Sequence, residues 1–590
     1  MEQSKLVEKL EGYRRRNDAA HCYVNGDLYR LFYSRDLYII AYNSIKSNDG
    51  AETSGADGTS LHGFCEEWIT ELISSMRDES YQPQPNRTTM IPKSNGKMRK
   101  LSFPNGKDKL VQEAVRIILE CIYEPTFSNL SHGFRPKRST QRAIAEVEIW
   151  RGTVWFIEGD ISACFDEIDH RILETILHER INDERFIRLI NKILKAGYFD
   201  MQRSLQGTKT GNAQGSCCSP ILCNIYLDKL DRFMENIIRM DTTGAHRRQN
   251  PDYARARYLY RKAVSSDSNT KTIKHLKHAM KNLPSGDRYD PNFRRVKYVR
   301  YADDFLIGVI APKAYAVDLK RKIKEFLNNE LSLRLSDEKT KITHAAEDKV
   351  TFLGYIIRKS TGKHCKFYSN PFESTLRIYM NTEGILKKLH ENGMCTGNGY
   401  PIGISRLLRE PPEEIIKYGN QVLRGLLTQQ RGCFNFFKGW RIQYVVMFSI
   451  AKSLARKFDI SVKKVFARFG SSLSVSYRNA KDKACSVSLA LYKSFSRQKD
   501  FFAKIKSAAI SVSLPKYNLM DPLARVCYIC GNPHLHVSMY HRKTKKKLDK
   551  PYSPIVTVML AINRRQISLC GHCFANVETD RFQLNQLRRR

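Results

Sequence analysis

Three aspartates in two strand-like segments are the strongest candidates for chemistry in this sequence. Residues 296–310 contain two runs of β-forming residues around Asp303 and Asp304, which predicts a hairpin with two adjacent carboxylates at its tip. Upstream, an apolar strand pattern over 153–160 ends at Asp160. Carboxylate oxygens suit Mg²⁺, and many phosphoryl-transfer enzymes hold two metal ions about 3.5–4 Å apart. We therefore expect Asp160 to meet the hairpin at the ends of adjacent strands.

A structural explanation also exists for these residues. Asp303 and Asp304 could form a solvated turn, and Asp160 could cap a helix. Either motif alone is compatible with that interpretation. The order of the two motifs, together with the motifs described below, favours a shared metal site.

The residues Tyr-Ala-Asp-Asp at 301–304 resemble the catalytic box of reverse transcriptases, in the form found in group II intron-encoded proteins. The resemblance extends over nearly the whole chain, from about residue 29 to about residue 573. It implies an α+β fold, in which a right-hand polymerase with fingers and palm is followed by a helical thumb (domain X) and a small C-terminal zinc-binding domain. It also implies that the three aspartates bind two Mg²⁺, one activating the primer 3′-hydroxyl and the other neutralising the triphosphate.

The same resemblance divides the chain into four parts. We expect an N-terminal extension (1–85), the reverse transcriptase fingers and palm (86–370, with a polar, basic insertion at 241–295), the thumb or maturase domain X (371–515), and a DNA-binding, degenerate His-Asn-His-like zinc domain (516–590).

The resemblance also identifies residues expected to line the nucleotide path. These are Lys93, Arg99, Arg135, Phe165, Gln214 and Lys339. Phe165 stands five residues after Asp160, where reverse transcriptases place an aromatic ring that excludes a 2′-hydroxyl and so favours deoxynucleotides. The alternative for the basic residues is a solvated surface, and the alternative for Phe165 is a core aromatic.

The C-terminal region contains two Cys-x-x-Cys pairs, which are typical of one structural Zn²⁺. The four residues are Cys527, Cys530, Cys570 and Cys573, and buried free thiols are the alternative. This region resembles the His-Asn-His endonuclease domain of the family, but it departs from that pattern. Only His541 and Asn563 remain as candidate nuclease residues. We therefore predict a zinc-stabilised DNA-binding module with weak or absent cleavage.

The charge of the chain indicates a polyanionic partner. Lys and Arg number 99 against 60 Asp and Glu, a formal net charge of +39, which argues against an ordinary enzyme of small metabolites. No run of about 18 apolar residues could span a bilayer, so no membrane partner is expected. The N-terminus lacks a secretory apolar segment, and we expect a mitochondrion or other organelle, with the bacterial cytoplasm as the alternative.

The sequence thus predicts an RNA-directed DNA polymerase and intron maturase. By resemblance, it would bind its group II intron RNA, promote splicing, and support intron mobility by target-primed reverse transcription on a target DNA with deoxynucleoside triphosphates. One alternative is a polymerase-inactive RNA-binding splicing cofactor. A second is a different reverse transcriptase, such as a retron enzyme.

Overall fold

The computed structural model describes most of the chain. The described residues are 4–48, 50–92, 98–199, 205–206, 210–211, 214–266, 269–287, 290, 292–359, 376–478, 484–507, 517–523, 527, 530, 537–541, 566–570 and 572–573.

Helices dominate the described part of the chain. They are α1 (Lys5–Ala19), α2 (Arg35–Ile45), α3 (Glu66–Arg77), α4 (Gly106–Tyr123), α5 (Thr140–Glu148), α6 (Cys164–Glu167), α7 (His170–His178), α8 (Glu184–Lys195), α9 (Ser219–Asp241), α10 (Pro251–Ser265), α11 (Thr270–Lys281), α12 (Lys313–Leu331), α13 (Thr382–Glu391), α14 (Pro412–Gln429), α15 (Gly439–Phe458), α16 (Val462–Phe469) and α17 (Phe501–Ser507).

The strands form several small sheets. They are β1 (Asn86–Pro92), β2 (Met98–Phe103), β3 (Trp155–Asp160), β4 (Tyr198–Phe199), β5 (Leu205–Gln206), β6 (Arg295–Tyr301), β7 (Asp304–Ile310), β8 (Lys341–His344), β9 (Val350–Phe352), β10 (Tyr355–Lys359), β11 (Leu376–Met380), β12 (Val475–Arg478), β13 (Ala484–Val487), β14 (Val537–His541) and β15 (Gln566–Cys570).

The central sheet has the order β6-β7-β3-β8, with antiparallel pairing throughout. Both faces of the sheet are covered, and six of the seven residues of β7 are buried. Side chains alternate across a strand, and in β3 Ile157 packs into one hydrophobic core while Phe156 packs into the other. The sheet that carries the predicted aspartates is therefore held from both sides.

The two cores belong to different parts of the chain. The first joins the central sheet to the N-terminal helices, to α4 and α9, and to α12. The second joins the opposite face of the sheet to α5 and to the helices α14 and α15. Helix α4 lies within the first core, and the side chain of Asn105 caps its start by accepting from the Asp108 N–H at 2.7 Å.

A close contact fixes the alignment of β3 against β7. Gly159 lies directly opposite Phe305 in this antiparallel pair. A Cβ at position 159 would lie 2.1 Å from Cζ of the Phe305 ring, so the ring occupies the space that any side chain would need. A shift of one residue would turn every side chain to the other face of the sheet. The glycine and the ring therefore favour one register.

The hairpin β1–β2 and the sheet β11-β10-β9 are separate from the central sheet. The antiparallel hairpin belongs to a four-stranded sheet of order β2-β1-β4-β5, and the residues between β1 and β2, including Lys93, lie outside the described residues. The sheet β11-β10-β9 is followed along the chain by α14 and α15, which pack against each other. The chain is thus α+β, as the sequence predicts, with a predominantly helical part after the sheets.

Candidate active site

The predicted acidic hairpin forms between β6 and β7. Tyr301 and Asp304 pair as the last residues of the ladder, which leaves Ala302 and Asp303 as a two-residue turn. Ala302 has φ 57°, and a positive φ at the first loop residue is what tight hairpin turns require. Gly133 supports this turn, because a Cβ there would lie only 2.2 Å from the Ala302 nitrogen. The hairpin is confirmed, although Asp304 belongs to β7 rather than to the tip.

Asp160 lies at the same edge of the sheet. It is the last residue of β3 and is directly opposite Asp304 in the β3–β7 pair. The next residue, Ile161, donates its N–H to the Asp303 carbonyl oxygen at 3.3 Å. Directly opposed residues in an antiparallel pair project to the same face, with Cβ atoms about 4.5–5.5 Å apart. The three aspartates are therefore brought together from segments more than a hundred residues apart in sequence.

The electrostatics of this edge are those of crowded negative charge. Burial raises the pKa of Asp303, and the nearby Asp160 raises it further. Burial and repulsion from Asp303 and Asp160 raise the pKa of Asp304 to about 7. Lys339 relieves part of this charge, since its Nζ donates to Asp160 Oδ2 at 2.8 Å. That hydrogen bond raises the pKa of Lys339 in turn.

The chemistry of this ligand set fits Mg²⁺. All three side chains offer carboxylate oxygens, which are the ligands that Mg²⁺ prefers. The pKa values of Asp303 and Asp304 are raised by burial and by neighbouring negative charge, and a divalent cation would neutralise that charge. The carboxylates are not gathered as tightly as a closed metal cage. In the described residues, the only group whose ligand atoms all lie within 4.8 Å of one another is a cysteine cluster.

Besides Lys339, which contacts Asp160, two more of the predicted nucleotide residues have described contacts. Phe165 is half-buried at the start of α6, and its ring meets Phe134 edge-on at a centroid distance of 6.0 Å. The side chain of Gln214 donates through Nε2 to Asp166 Oδ2 at 3.2 Å. The backbone carbonyl oxygen of Gln214 accepts from the Ser102 backbone N–H at 2.7 Å. Sequence reasoning missed Phe134 and Asp166. Position in the sequence could have identified both, since Phe134 directly precedes Arg135 and Asp166 directly follows Phe165.

Arg135 does not line an open path, contrary to its predicted role. Arg135 is only 7% exposed to solvent. The guanidinium pairs with the Glu124 carboxylate at 3.0 Å and donates to the Ser128 and Ser131 carbonyl oxygens at 2.5 and 2.8 Å. These contacts engage its donors inside the protein. We therefore correct its assignment from nucleotide contact to support of the segment that contains Gly133.

Arg99 belongs to the β1–β2 hairpin. Arg99 lies on β2 and is exposed, and its positive charge acts against the upward shift in the pKa of Asp303. The hairpin therefore presents a cation toward the acidic edge. Lys93 lies outside the described residues.

Comparison with known proteins assigns the chain to a family. Residues 91–357 match the family described as reverse transcriptase (RNA-dependent DNA polymerase), and residues 374–526 match the type II intron maturase family. The group II intron-encoded protein LtrA of Lactococcus lactis subsp. cremoris is 33% identical over 580 residues, covering 93% of this chain and 95% of LtrA. The chain belongs to the group II intron-encoded proteins.

Yeast proteins show the same similarity to this group II intron-encoded protein. The COX1/OXI3 intron 1 protein of Saccharomyces cerevisiae is 33% identical, covering 95% of this chain and 70% of that protein. A 91 kDa protein in the cob intron of Schizosaccharomyces pombe is 32% identical, covering 98% of this chain and 73% of that protein. The relatives thus include proteins of yeasts and of a bacterium.

These findings confirm the predicted activity of the group II intron-encoded protein. It is a reverse transcriptase, an RNA-directed DNA polymerase, and an intron maturase. Reverse transcriptases use Mg²⁺ and act on nucleic acids, and maturases bind intron RNA. Within the described residues, no helix is both long and apolar enough to cross a membrane. The four-part division of the chain and the roles of individual site residues stay predictions.

The four predicted cysteines of this protein come together near its C-terminus. The sulfur atoms of Cys527, Cys530, Cys570 and Cys573 all lie within 4.8 Å of one another, so the cluster could hold a metal ion. Sulfur atoms around a tetrahedral ion would lie about 3.8 Å apart for a metal–sulfur distance of about 2.3 Å, and the Cys530 and Cys570 sulfurs are 4.0 Å apart. Burial raises the pKa of Cys573 to about 12, and hydrogen bonds with Cys570 and Cys527 add to the shift.

Of the two candidate nuclease residues, only the backbone of His541 lies within the described part of the chain. The backbone of His541 ends β14, opposite Gln566 in β15. Its side chain and all of Asn563 lie outside the described residues. The endonuclease prediction therefore stays a prediction.

Proposed function

We propose that Asp160, Asp303 and Asp304 hold two Mg²⁺ and form the catalytic centre for RNA-directed DNA synthesis. The observation that carries this proposal is the direct cross-strand pairing of Asp160 with Asp304 beside the turn that contains Asp303. Magnesium bound there would activate the primer 3′-hydroxyl as a Lewis acid and neutralise charge on the triphosphate.

Other side chains serve the deoxynucleoside triphosphate in this proposal. Arg99, whose charge acts on Asp303, and Lys93, six positions earlier in the sequence, bind its phosphates. Lys339 neutralises Asp160 until the substrate and metal are bound. Gln214 supports the nucleotide, with its amide oriented by the hydrogen bond to Asp166. Phe165 blocks a 2′-hydroxyl, and its edge-on contact with Phe134 keeps the ring in place.

Primer extension on an RNA template tests the catalytic assignment. We expect Asp303→Ala to abolish synthesis, because it removes a metal ligand at the turn. Glu330→Ala, an exposed acidic residue at the end of α12, is the matched control and should extend primers like the wild type. Equal, negligible synthesis by wild type and Asp303→Ala would favour the alternative, a polymerase-inactive RNA-binding splicing cofactor.

Intron RNA is the proposed partner of the basic helical surfaces. Helix α11 carries six basic or histidine residues in twelve positions and none of its residues is buried. On the thumb, Trp440 is 58% exposed beside the exposed cations Lys438 and Arg441. Cations neutralise the phosphate backbone, and aromatic rings stack on unpaired bases. These surfaces would hold the intron RNA in its splicing-competent fold, while the RNA carries out the splicing chemistry.

Tryptophan fluorescence offers a direct test of the thumb surface. Of the four tryptophans in the chain, Trp150 is buried, Trp68 and Trp155 are half-buried, and Trp440 is exposed. Binding of intron RNA should quench the emission of Trp440. Trp440→Phe is the control, because it keeps a stacking ring but removes the signal. An unchanged spectrum on binding would contradict RNA contact at this helix.

The C-terminal cluster is proposed to hold one structural Zn²⁺ in a module that contacts target DNA. Support comes from the four converging sulfur atoms. With only His541 and Asn563 as candidates, we propose that DNA cleavage is weak or lost. A nicking assay on supercoiled DNA tests this, and cleavage abolished by His541→Ala would overturn it.

Intron mobility is the proposed biological use of these activities. In this proposal the protein reverse transcribes its intron RNA from a primer at the DNA target. The proposed location is a mitochondrion or another organelle, with the bacterial cytoplasm as the alternative. Cell fractionation of the native host followed by immunodetection distinguishes these locations.

A further inference from the structure

A fully buried ion pair lies directly behind the acidic turn, and the mechanism above does not use it. The side chains of Arg300 and Asp231 are both 0% exposed. Nε and Nη2 of Arg300 donate to the two carboxylate oxygens of Asp231 at 2.8 and 2.6 Å. The Tyr298 hydroxyl donates to the same carboxylate at 2.9 Å. Because Asp231 lies on α9, this pair connects strand β6 to the helix behind it.

The remaining guanidinium nitrogen reaches the turn itself. Nη1 of Arg300 donates to the Ala302 carbonyl oxygen at 2.9 Å and to Asn224 Oδ1 at 3.2 Å. That carbonyl belongs to the peptide bond that joins Ala302 to Asp303. A buried carbonyl needs a hydrogen-bond donor, and here the donor is a charged group whose position is fixed by Asp231. The guanidinium therefore helps to orient the peptide that carries the Asp303 side chain.

The same arginine also holds the segment that packs on the turn. Its backbone N–H donates to the Leu130 carbonyl at 2.8 Å, and its own carbonyl accepts from the His132 N–H at 2.9 Å. Asn224 donates through Nδ2 to the Gly133 carbonyl at 2.9 Å. Arg300 is thus connected to α9, to the turn, and to the glycine that lies against the turn.

We propose that Arg300, held by Asp231, is a positioning residue that sets the geometry of Asp303 and thereby the Mg²⁺ requirement and the turnover of polymerisation. This inference rests on the proposed metal-binding role of Asp303. Fold stability alone is a weak reason for such a pair, since apolar side chains of similar volume often replace a buried ion pair without loss. An apolar side chain would not donate to the Ala302 carbonyl. A lysine would lack the planar fork that contacts Asp231 and the turn at once.

The decisive variant therefore replaces both charges with apolar residues. Arg300→Met combined with Asp231→Leu removes the ion pair without leaving a single buried charge. The matched control is Arg116→Met combined with Glu113→Leu and Glu120→Leu, which removes another largely buried charge cluster, on α4, without leaving a charge unpaired. Circular dichroism melting and intron RNA binding establish that both multiple variants are folded. Primer extension is then measured against Mg²⁺ and against deoxynucleotide concentration.

We expect the Arg300/Asp231 variant to lose about 10- to 100-fold in kcat, the scale expected for a displacement of about 1 Å at a reacting centre. Its Mg²⁺ concentration for half-maximal activity should rise, while the KM for deoxynucleotides and the affinity for intron RNA stay near wild type. The kcat of Arg300→Lys should lie between that of the wild type and that of the Arg300/Asp231 variant. Wild-type kcat and Mg²⁺ dependence in a folded Arg300/Asp231 variant, or an equal loss in the α4 control, would overturn the inference. Full activity of Asp303→Ala would instead refute the catalytic assignment itself.

Discussion

The pKa of Asp304 leads to a quantitative prediction about metal binding. The value of about 7 means that this carboxyl is about half protonated at neutral pH before metal binds. Mg²⁺ binds the deprotonated carboxylate, so binding must release the proton. Because the pKa of Asp304 is raised to about 7, the fraction of protonated carboxyl increases as the pH falls through 7. The affinity for Mg²⁺ should therefore decrease as the pH is lowered. The perturbations are therefore a change of pH and the substitution Asp304→Asn.

The magnitude follows from the fraction of the side chain that is deprotonated. For a pKa of about 7, that fraction is about 0.9 at pH 8 and about 0.1 at pH 6, so the apparent affinity should change by up to about tenfold. Although packing around the Asp304 carboxyl raises its pKa, more than a third of the residue remains accessible to solvent, and solvent screening makes this value an upper limit. The substitution Asp304→Asn removes the titrating group. It should weaken Mg²⁺ binding at pH 8 and abolish most of the pH dependence between pH 6 and 8.

Calorimetric Mg²⁺ titration provides the assay. Titrations at pH 6, 7 and 8, in two buffers with different ionisation enthalpies, give both the affinity and the number of protons released. We expect about half a proton at pH 7 for the wild type and a smaller number for Asp304→Asn. Glu330→Gln should behave like the wild type. Equal Mg²⁺ affinity at pH 6 and pH 8, or the same pH dependence in Asp304→Asn, would refute the reasoning.

Four other substitutions give separate tests. Phe165→Val should raise ribonucleotide incorporation relative to deoxynucleotides by about 10- to 100-fold, since it removes the ring that excludes a 2′-hydroxyl; competition primer extension measures the ratio, and an unchanged ratio would count against a gate. Lys339→Met should tighten Mg²⁺ binding, because the lysine competes with the metal for Asp160, but by no more than about fivefold, since exposed ion pairs contribute little. Polymerisation by this variant should be slower. Weaker Mg²⁺ binding in the calorimeter would contradict competition between the lysine and the metal. Gly133→Ala should abolish primer extension while leaving intron RNA binding intact, because the added Cβ would lie 2.2 Å from the Ala302 nitrogen; an active enzyme would show that the turn tolerates displacement. Cys570→Ser should reduce the zinc content measured by mass spectrometry from one ion per chain to near zero, whereas Cys22→Ser, at an exposed cysteine outside the cluster, should leave it unchanged.

The sequence predicts the helices and the acidic hairpin well because their patterns are local. The amphipathic pattern of residues 413–427 and 440–458 predicts two helices, which correspond to α14 and α15 within a residue or two at each end. The patterns of residues 253–263 and 272–282 predict two helices in the insertion, which correspond to α10 and α11. Periodicity of apolar residues identifies a helix and its buried face without knowledge of its neighbour. Periodicity does not select partner strands, and the expectation that Asp160 meets the hairpin follows instead from the need of a two-metal site for carboxylates from more than one segment.

The partners of buried polar residues are harder to predict. Arg135, in a basic block, reads as a surface cation, yet it is paired with Glu124, which lies eleven positions earlier. Arg300 reads as one more polar position in an alternating strand, yet its partner Asp231 lies on a helix 69 positions away. Whether a charged residue faces water or a buried partner depends on how distant elements pack. The positive φ of Phe134 is equally hard to predict from the sequence, because phenylalanine has no preference for that backbone conformation.

The hydrogen atom that Gly159 carries in place of a side chain has a consequence for how this enzyme can vary. Even the methyl group of an alanine at position 159 would collide with the phenyl ring of Phe305. Substitution at this position is therefore constrained by a residue that is distant in sequence and adjacent only in the folded sheet. Lineages that keep such an intron for splicing alone could tolerate that change, since the surfaces proposed here for RNA binding lie on other elements of the chain. The loss of DNA synthesis could therefore begin with a methyl group beside the acidic residues, before any of the aspartates is itself replaced.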